Sequence, residues 1–297
     1  MNLNDLILLL TSLIGSFFIL LISPILYFYQ VKDNKQFKDP KTIVITGASS
    51  GLGSSLAIEY SIKSRGIKLG LVGRNKERLE KVKDECVKNG AQVEMALIDI
   101  TDKEKLERWL LDFNERNPID IVYANAAVTE LTLNKDLNFS DRIYKTIDTN
   151  VYGILNTVLP ILPSFQEKRN GQVVIVSSLA TNTNFVYAGY TGSKGFATSF
   201  ALTLRNRMSM CGVGVSVVCC GYIETPMSEP LQEELVFSVK PEEAAKITIR
   251  GVEANQAYIG FSRRMLIMTQ LIHLIPGNLK DTFNNFLNKS WPFHDYN

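Results

Sequence analysis

Two hydrophobic patterns divide the chain. The first is an unbroken apolar run, in which residues 6–31 hold no Asp, Glu, Lys or Arg. A helix over residues 6–29, about 24 residues at 1.5 Å each, reaches roughly 36 Å against a hydrocarbon thickness of about 30 Å. Residues 8–10 and 17–22 put apolar side chains on every face of it, more than a one-sided soluble helix needs. Tyr27 and Tyr29 stand where an interfacial aromatic belt would. A cleaved leader fits less well, because residues 1–5 carry no basic side chain and the apolar run is too long. The pattern predicts one transmembrane anchor over residues 1–31, a polar linker over 32–40 and a globular unit over 41–297.

The second pattern begins at residue 41, where short β-branched runs alternate with stretches of helical period. Strands are predicted at 42–46, 68–72, 92–98, 119–123, 172–177 and 214–219, with a further short strand at 258–261. The intervening helices are predicted at 52–62, 76–89, 102–116, 140–165 and 187–210, and residues 233–297 read as mostly helical. Strands separated by helical crossovers argue an α/β fold, a doubly wound parallel sheet in a single domain that binds ligands at the carboxyl ends of its strands.

Composition then narrows the chemistry. The chain has 297 residues, with 32 Lys and Arg against 30 Asp and Glu. A net charge of +2 gives no footprint for a nucleic-acid backbone, so no nucleic-acid partner is expected. The two histidines, His273 and His294, form no ligand pair, so no metal site is expected and acid–base work must fall to other side chains. Cys86, Cys211, Cys219 and Cys220 contain no C-x-x-C and read as reduced thiols. Lys32, Lys35, Lys38 and Lys41 follow the anchor and no basic residue precedes it. The positive-inside tendency therefore predicts that the catalytic domain of this single-pass membrane protein faces the cytoplasm, and the expected membrane is that of the endoplasmic reticulum. The glycosylation sequons at Asn138 and Asn288 leave a lumenal orientation open.

Three constellations carry chemistry. The turn after the first strand reads Thr46-Gly47-Ala48-Ser49-Ser50-Gly51-Leu52-Gly53, and glycines between a strand and a helix let the backbone bring a pyrophosphate to the helix N-terminus. The second strand ends in Gly73-Arg74. A carboxylate there would take the ribose 2′-hydroxyl of NAD(H), whereas a basic residue suits a 2′-phosphate, so NADP(H) is favoured over NAD(H). Arg74 starting a solvated helix is the plainer alternative. Tyr190 and Lys194 share one helical face, downstream of a strand that ends in Ser177-Ser178. An ammonium about 4 Å from a phenol, at an effective dielectric of about 20, is worth about 4 kcal/mol, which would lower the phenol toward working range.

These residues resemble the signatures of the short-chain dehydrogenase/reductases over roughly residues 41–290, with Asn125 in Ala124-Asn125-Ala126-Ala127 and Asn150 joining the match. The resemblance implies a Rossmann-like sheet and a catalytic set of Asn150, Ser178, Tyr190 and Lys194. Tyr190 would donate or accept the proton, and Lys194 would lower its pKa and hold the nicotinamide ribose. Ser178 would bind the substrate oxygen, and Asn150 would support a relay water. Cofactor contacts would come from the turn (Thr46, Gly47, Ser49, Ser50, Gly51, Leu52, Gly53), from Arg74, from Asp99 beside the adenine, from Asn125, and from Ile223 and Thr225 at the carboxamide. The chain departs from the family in three places. Ala127 stands where glycine is usual, Cys220 stands where proline precedes Gly221, and Ser178 lies one residue closer to Tyr190 than the commoner spacing, which Ser177 satisfies.

The segment 226–240 follows the cofactor strand, and Met227, Leu231, Leu235, Val236 and Phe237 make it apolar, which suits a hydrophobic carbonyl or alcohol: a lipid, steroid or sphingoid-like molecule. Residues 265–275 form a second apolar stretch after Arg263-Arg264, open to reading as a membrane-dipping or a buried helix. The expected function is NADP(H)-dependent oxidoreduction of such a substrate, with a homodimer open. The alternative is a catalytically silent, membrane-tethered NADP-binding sensor or scaffold.

Overall fold

The computed structural model describes residues 3–33, 37, 39–134, 136–182, 187–229, 237–275 and 279, and within 3–33 it leaves the side chains of 20 and 23–33 undescribed. Seven strands form one sheet in the order β3-β2-β1-β4-β5-β6-β7. They are β1 (Thr42–Thr46), β2 (Lys68–Gly73), β3 (Gln92–Leu97), β4 (Ile121–Ala124), β5 (Gln172–Ser178), β6 (Gly214–Cys220) and β7 (Tyr258–Phe261), and every pairing is parallel. The chain runs outward from β1 to β3, then returns beside β1 as β4 and proceeds the other way. The resulting crevice at the carboxyl ends of β1 and β4 is where a Rossmann-like α/β sheet binds its ligand.

Period-two alternation assigns each strand side chain to a layer. Ile43, Ile45, Val174 and Val176 join one apolar cluster with Leu52, Leu56 and Tyr60 of α2 (Gly51–Lys63), Leu79 of α3 (Lys76–Lys88) and Ile249 of α9 (Pro241–Glu253). Val44, Val173, Ile175 and Val217 join the other, with Leu106, Leu110 and Phe113 of α4 (Lys103–Arg116) and Ala197, Ala201 and Leu204 of α8 (Ala188–Ser209). β1, β5 and β6 are buried along their whole length, as central parallel strands must be with helices on both faces. Each fully buried aliphatic side chain contributes roughly 1.5–3 kcal/mol.

The helix expected over 140–165 is instead four elements. α5 (Phe139–Ile147) runs into a π-helical turn at Asp148–Tyr152, then α6 (Gly153–Val158), and after a break α7 (Leu162–Lys168). The break follows from Pro160 and Pro163, which lack the N–H groups that would continue the helical ladder. The π turn carries Asn150 into the interior, and periodicity alone does not reveal an extra residue in a turn. β4 starts at Ile121 rather than 119, because the preceding residues close a turn: Ile119 N–H donates to Asn114 Oδ1, and Asp120 Oδ2 accepts the N–H groups of Lys41 and Thr42.

The first helix, α1, spans Leu3–Asp33, and Leu8, Leu13, Phe17, Phe18 and Ile22 lie exposed along it. Among the described residues no helix is long and apolar enough to cross a membrane. Tyr27 and Tyr29 lie outside the described side chains. Within the expected linker, Phe37 is buried, its N–H donates to Glu253 O at 3.1 Å, and its ring packs beside Gly214 at the start of β6. The chain thus enters the domain at the amino edge of the sheet.

Candidate active site

The turn after β1 is built for close approach. Gly47 and Gly51 have φ of 67° and 58°, left-handed values that favour glycine. A Cβ on Gly53 would stand 2.3 Å from Gly47 O, and one on Gly47 would stand 2.7 Å from Ala126 Cα. The loop after β4 locks onto this turn. Thr46 Oγ1 accepts the N–H of Asn125 at 3.1 Å and of Ala126 at 3.3 Å and donates to Tyr123 O, while Asn125 Nδ2 donates to Thr46 O at 2.8 Å. Asn125 therefore shapes the turn by its side chain. Ser49 lies against Gly73 at the end of β2. Ser50 precedes α2 with no side-chain cap bond, and Leu52 is buried in the core.

At the end of β2, Arg74 Nη1 pairs with Asp99 Oδ2 at 3.2 Å. Asp99 also accepts the N–H and hydroxyl of Thr101 at 3.0 and 2.9 Å. Burial pushes its carboxyl up, but the Thr101 bonds and the Arg74 guanidinium outweigh that and hold it below its ordinary value. Beyond β6, a Cβ on Gly51 would stand 3.0 Å from Thr225 Cγ2, so Thr225 lies over the turn. Ile223 bridges to Val239, and Ser228 fastens the loop by donating to Ile223 O and accepting the Thr225 N–H. Glycines where a Cβ would collide, a helix N-terminus at the turn and a basic residue at the end of β2 fit a nicotinamide dinucleotide. Leu231, Leu235 and Val236 of the expected substrate segment lie outside the described residues, while Phe237 is exposed beneath the Arg264 guanidinium.

Ser178, Tyr190 and Lys194 converge at the carboxyl end of β5. The Ser178 hydroxyl lies near enough to the Tyr190 phenol to draw its pKa down, accepts the Ala180 N–H at 3.2 Å and donates to Cys220 O at 3.4 Å. Ser177 points the other way, donating to Lys194 O at 2.8 Å and meeting Thr198 Oγ1 at 2.7 Å. Lys194 is only 3% exposed; its Nζ donates to Val176 O at 2.9 Å and lies 5.8 Å from the Tyr190 ring centre. Burial draws the ammonium down to about 8. The phenol is pushed up to about 12, by burial first, with the Ser178 hydroxyl opposing. This corrects the expected depression by Lys194, since desolvation of the phenolate outweighs an ammonium already committed to a carbonyl.

Asn150 is fully buried in the π turn, beside rather than among these groups. Its Oδ1 accepts the Val128 N–H at 2.8 Å, and its Nδ2 donates to Val128 O and to Ser193 Oγ, each at 2.9 Å. Ser193 in turn donates to Tyr190 O at 2.7 Å. Glu130, which sequence reasoning passed over, receives the N–H groups of Gly189 and Tyr190. It stands in no local motif, and 59 positions separate it from Gly189.

Comparison with known proteins agrees with this geometry. An uncharacterized oxidoreductase of Myxococcus xanthus is 31% identical over 243 residues, covering 81% of this chain and 95% of the relative. Estradiol 17-beta-dehydrogenase 11 of Rattus norvegicus is 28% identical over 251 residues, covering 83% of each. Among solved structures, a short-chain dehydrogenase from Sphingobium yanoikuyae in complex with NADPH superposes with a TM-score of 0.66 at 20% identity, covering 86% of this chain and 96% of that one. One from Mycobacterium paratuberculosis bound to NAD superposes with a TM-score of 0.62 at 20% identity, covering 74% and 94%. The family model described as short chain dehydrogenase matches residues 41–236, and the chain accordingly belongs to the short-chain dehydrogenase family, as an NAD(P)-dependent oxidoreductase acting on CH–OH groups.

Proposed function

We propose that the protein interconverts a carbonyl and an alcohol on a hydrophobic substrate with NADP(H), using Tyr190 as acid and base. The observation that carries this reading is the convergence of Ser178, the Tyr190 phenol and the buried Lys194 ammonium at the carboxyl end of β5. The nicotinamide, when bound, supplies or takes the hydride. Ser178 and Tyr190 then share the substrate oxygen, the phenol giving its proton as the carbonyl becomes an alcohol and recovering it in the reverse direction. Lys194 holds the ribose side and, as its ammonium, favours the phenolate. Asn150 acts by fixing Val128 and Ser193, and its side-chain bonds leave the relay water to its backbone.

Gly73 and Arg74 support the preference for NADP(H), since the end of β2 itself carries a guanidinium and no acidic residue, the Asp99 carboxylate that pairs with Arg74 coming from beyond β3. The uncharged run 6–31 and the exposed apolar side chains of α1 support a membrane anchor, and the lysines after it support a cytoplasmic catalytic domain. Apolar Met227 and Phe237 beside the loop over the turn, and a curated relative named for estradiol, support a hydrophobic substrate. Tyr190→Phe tests the central claim: turnover with NADPH across a panel of lipid ketones should vanish while NADPH titration stays within about twofold. Near-normal turnover in Tyr190→Phe would remove Tyr190 as acid and base, whereas wild-type protein that binds NADPH but turns over nothing in the panel would leave the sensor reading in its place.

A further inference from the structure

Glu130 opens a short 3-10 turn, Glu130–Thr132, in the loop after β4, and the chemistry above does not use it. Its side chain is nonetheless 5% exposed and faces the first turn of α8. Oε1 accepts the Gly189 N–H at 2.8 Å and the Tyr190 N–H at 3.2 Å, and Oε2 accepts the Tyr190 N–H at 3.2 Å. A neutral Ser, Thr or Asn would satisfy such amides without the penalty of burying a charge. The approach is specific to this pair of positions, because a Cβ on Gly189 would stand 2.9 Å from Glu130 Oε1. The carbonyl of Tyr190 is tied to the same loop through Ser193, Asn150 and Val128. That loop begins at Asn125, whose amide clamps Thr46 and Gly47.

We propose that Glu130 is a positioning residue for Tyr190, pinning the tyrosine's backbone to the loop that clamps the dinucleotide turn and so holding phenol and nicotinamide site in one register. The proposal rests on Tyr190 being the acid and base. The groups that bear on the phenol are Ser178 from β5, Cys220 from β6, Tyr222 just beyond it, Lys194 from its own helix, and Glu130. Glu130 is a carboxylate among them and favours the protonated phenol, resisting loss of the proton until substrate and the Lys194 side draw it away.

Fluorotyrosine-labelled full-length protein tests this without any substrate. The Tyr190 fluorine resonance is assigned by its loss in Tyr190→Phe, and its titration is followed by NMR. In Glu130→Gln, which keeps the shape and loses the charge, the resonance should move and the phenol midpoint should fall. NADPH affinity should stay within about twofold. Glu130→Asp restores the charge and should return the midpoint most of the way to wild type. A Tyr190 resonance and midpoint in Glu130→Gln superimposable on wild type would overturn the proposal. Should Glu130→Gln not fold, Gly189→Ala, whose methyl displaces the carboxylate, must perturb the same resonance, and an unmoved resonance there would overturn it equally. Failure of the acid and base reading shows separately, as turnover surviving in Tyr190→Phe.

Discussion

At the scale of single residues, Ser177 and Ser178 show how one position along a strand reverses a role. Their side chains leave opposite faces of β5, one bonded into α8 and the other meeting the phenol. Ser177→Ala should cost about 1 kcal/mol of stability, read by denaturant titration, with turnover nearly intact. Ser178→Ala should lower turnover at least about tenfold with little change in stability. Lys194 gives a pH signature. Its displacement from 10.5 to about 8 corresponds to burial of charge costing on the order of 3 kcal/mol. Because the folded value lies below the unfolded one, the cost is full below pH ~8 and fades as pH rises from there toward ~10.5. Lys194→Met should therefore lack turnover yet match or exceed wild type in melting temperature at neutral pH, an advantage that shrinks as the pH is raised. Arg74→Ala should weaken NADPH about tenfold or more and leave NADH nearly unchanged, by fluorescence titration. Equal losses for both would remove Arg74 from the 2′-phosphate. The sequence marked all four of these residues, because their types and spacings are chemically distinctive. It could not mark Glu130 or Ser193, whose contacts with the Tyr190 turn arise from loops and helices far apart or facing inward.

At the scale of elements, strands and helices were legible wherever β-branched runs met polar breaks. β1 and β7 occupy the predicted residues, and β2, β3, β5 and β6 differ by single terminal residues. The 140–165 region was not legible, because its apolar period continues across the π turn while the backbone changes pitch to seat Asn150. Its two prolines were the available signal for the later break. The glycine-rich turn was legible as a motif but its tolerance was not. Gly53→Ala would force a methyl to 2.3 Å from Gly47 O and 2.6 Å from Asn125 Nδ2. Spreading that turn should lower stability by about 1–3 kcal/mol and weaken NADPH and NADH together, by thermal melts and cofactor titration. Loss of only one cofactor would contradict a shared pyrophosphate seat.

At the scale of the whole molecule, the proposed anchor fixes an orientation that has a direct test. Protease added to intact microsomes should digest the catalytic domain, whereas protection, or endoglycosidase-sensitive mass at Asn138, would reverse the assignment. The structure already gives Asn138 another task, since its side chain caps α5 by accepting the Asp141 N–H at 2.9 Å. Asn288 lies outside the described residues. Phe37 sets a further constraint on the whole. Only four steps of chain separate Asp33, the end of α1, from the ring seated beside Gly214, a leash of at most about 14 Å. The leash is fastened at the amino edge of the sheet, and the seven residues of β6 carry the opposite edge, with Tyr190, roughly 20 Å farther away. With α1 in a bilayer, an upright domain would hold its mouth away from the lipid surface. On the proposed anchoring, a substrate dissolved in that surface would reach Tyr190 only when the domain lies on its side, so the length of the leash, and not the pocket alone, would set which supply of substrate the enzyme meets.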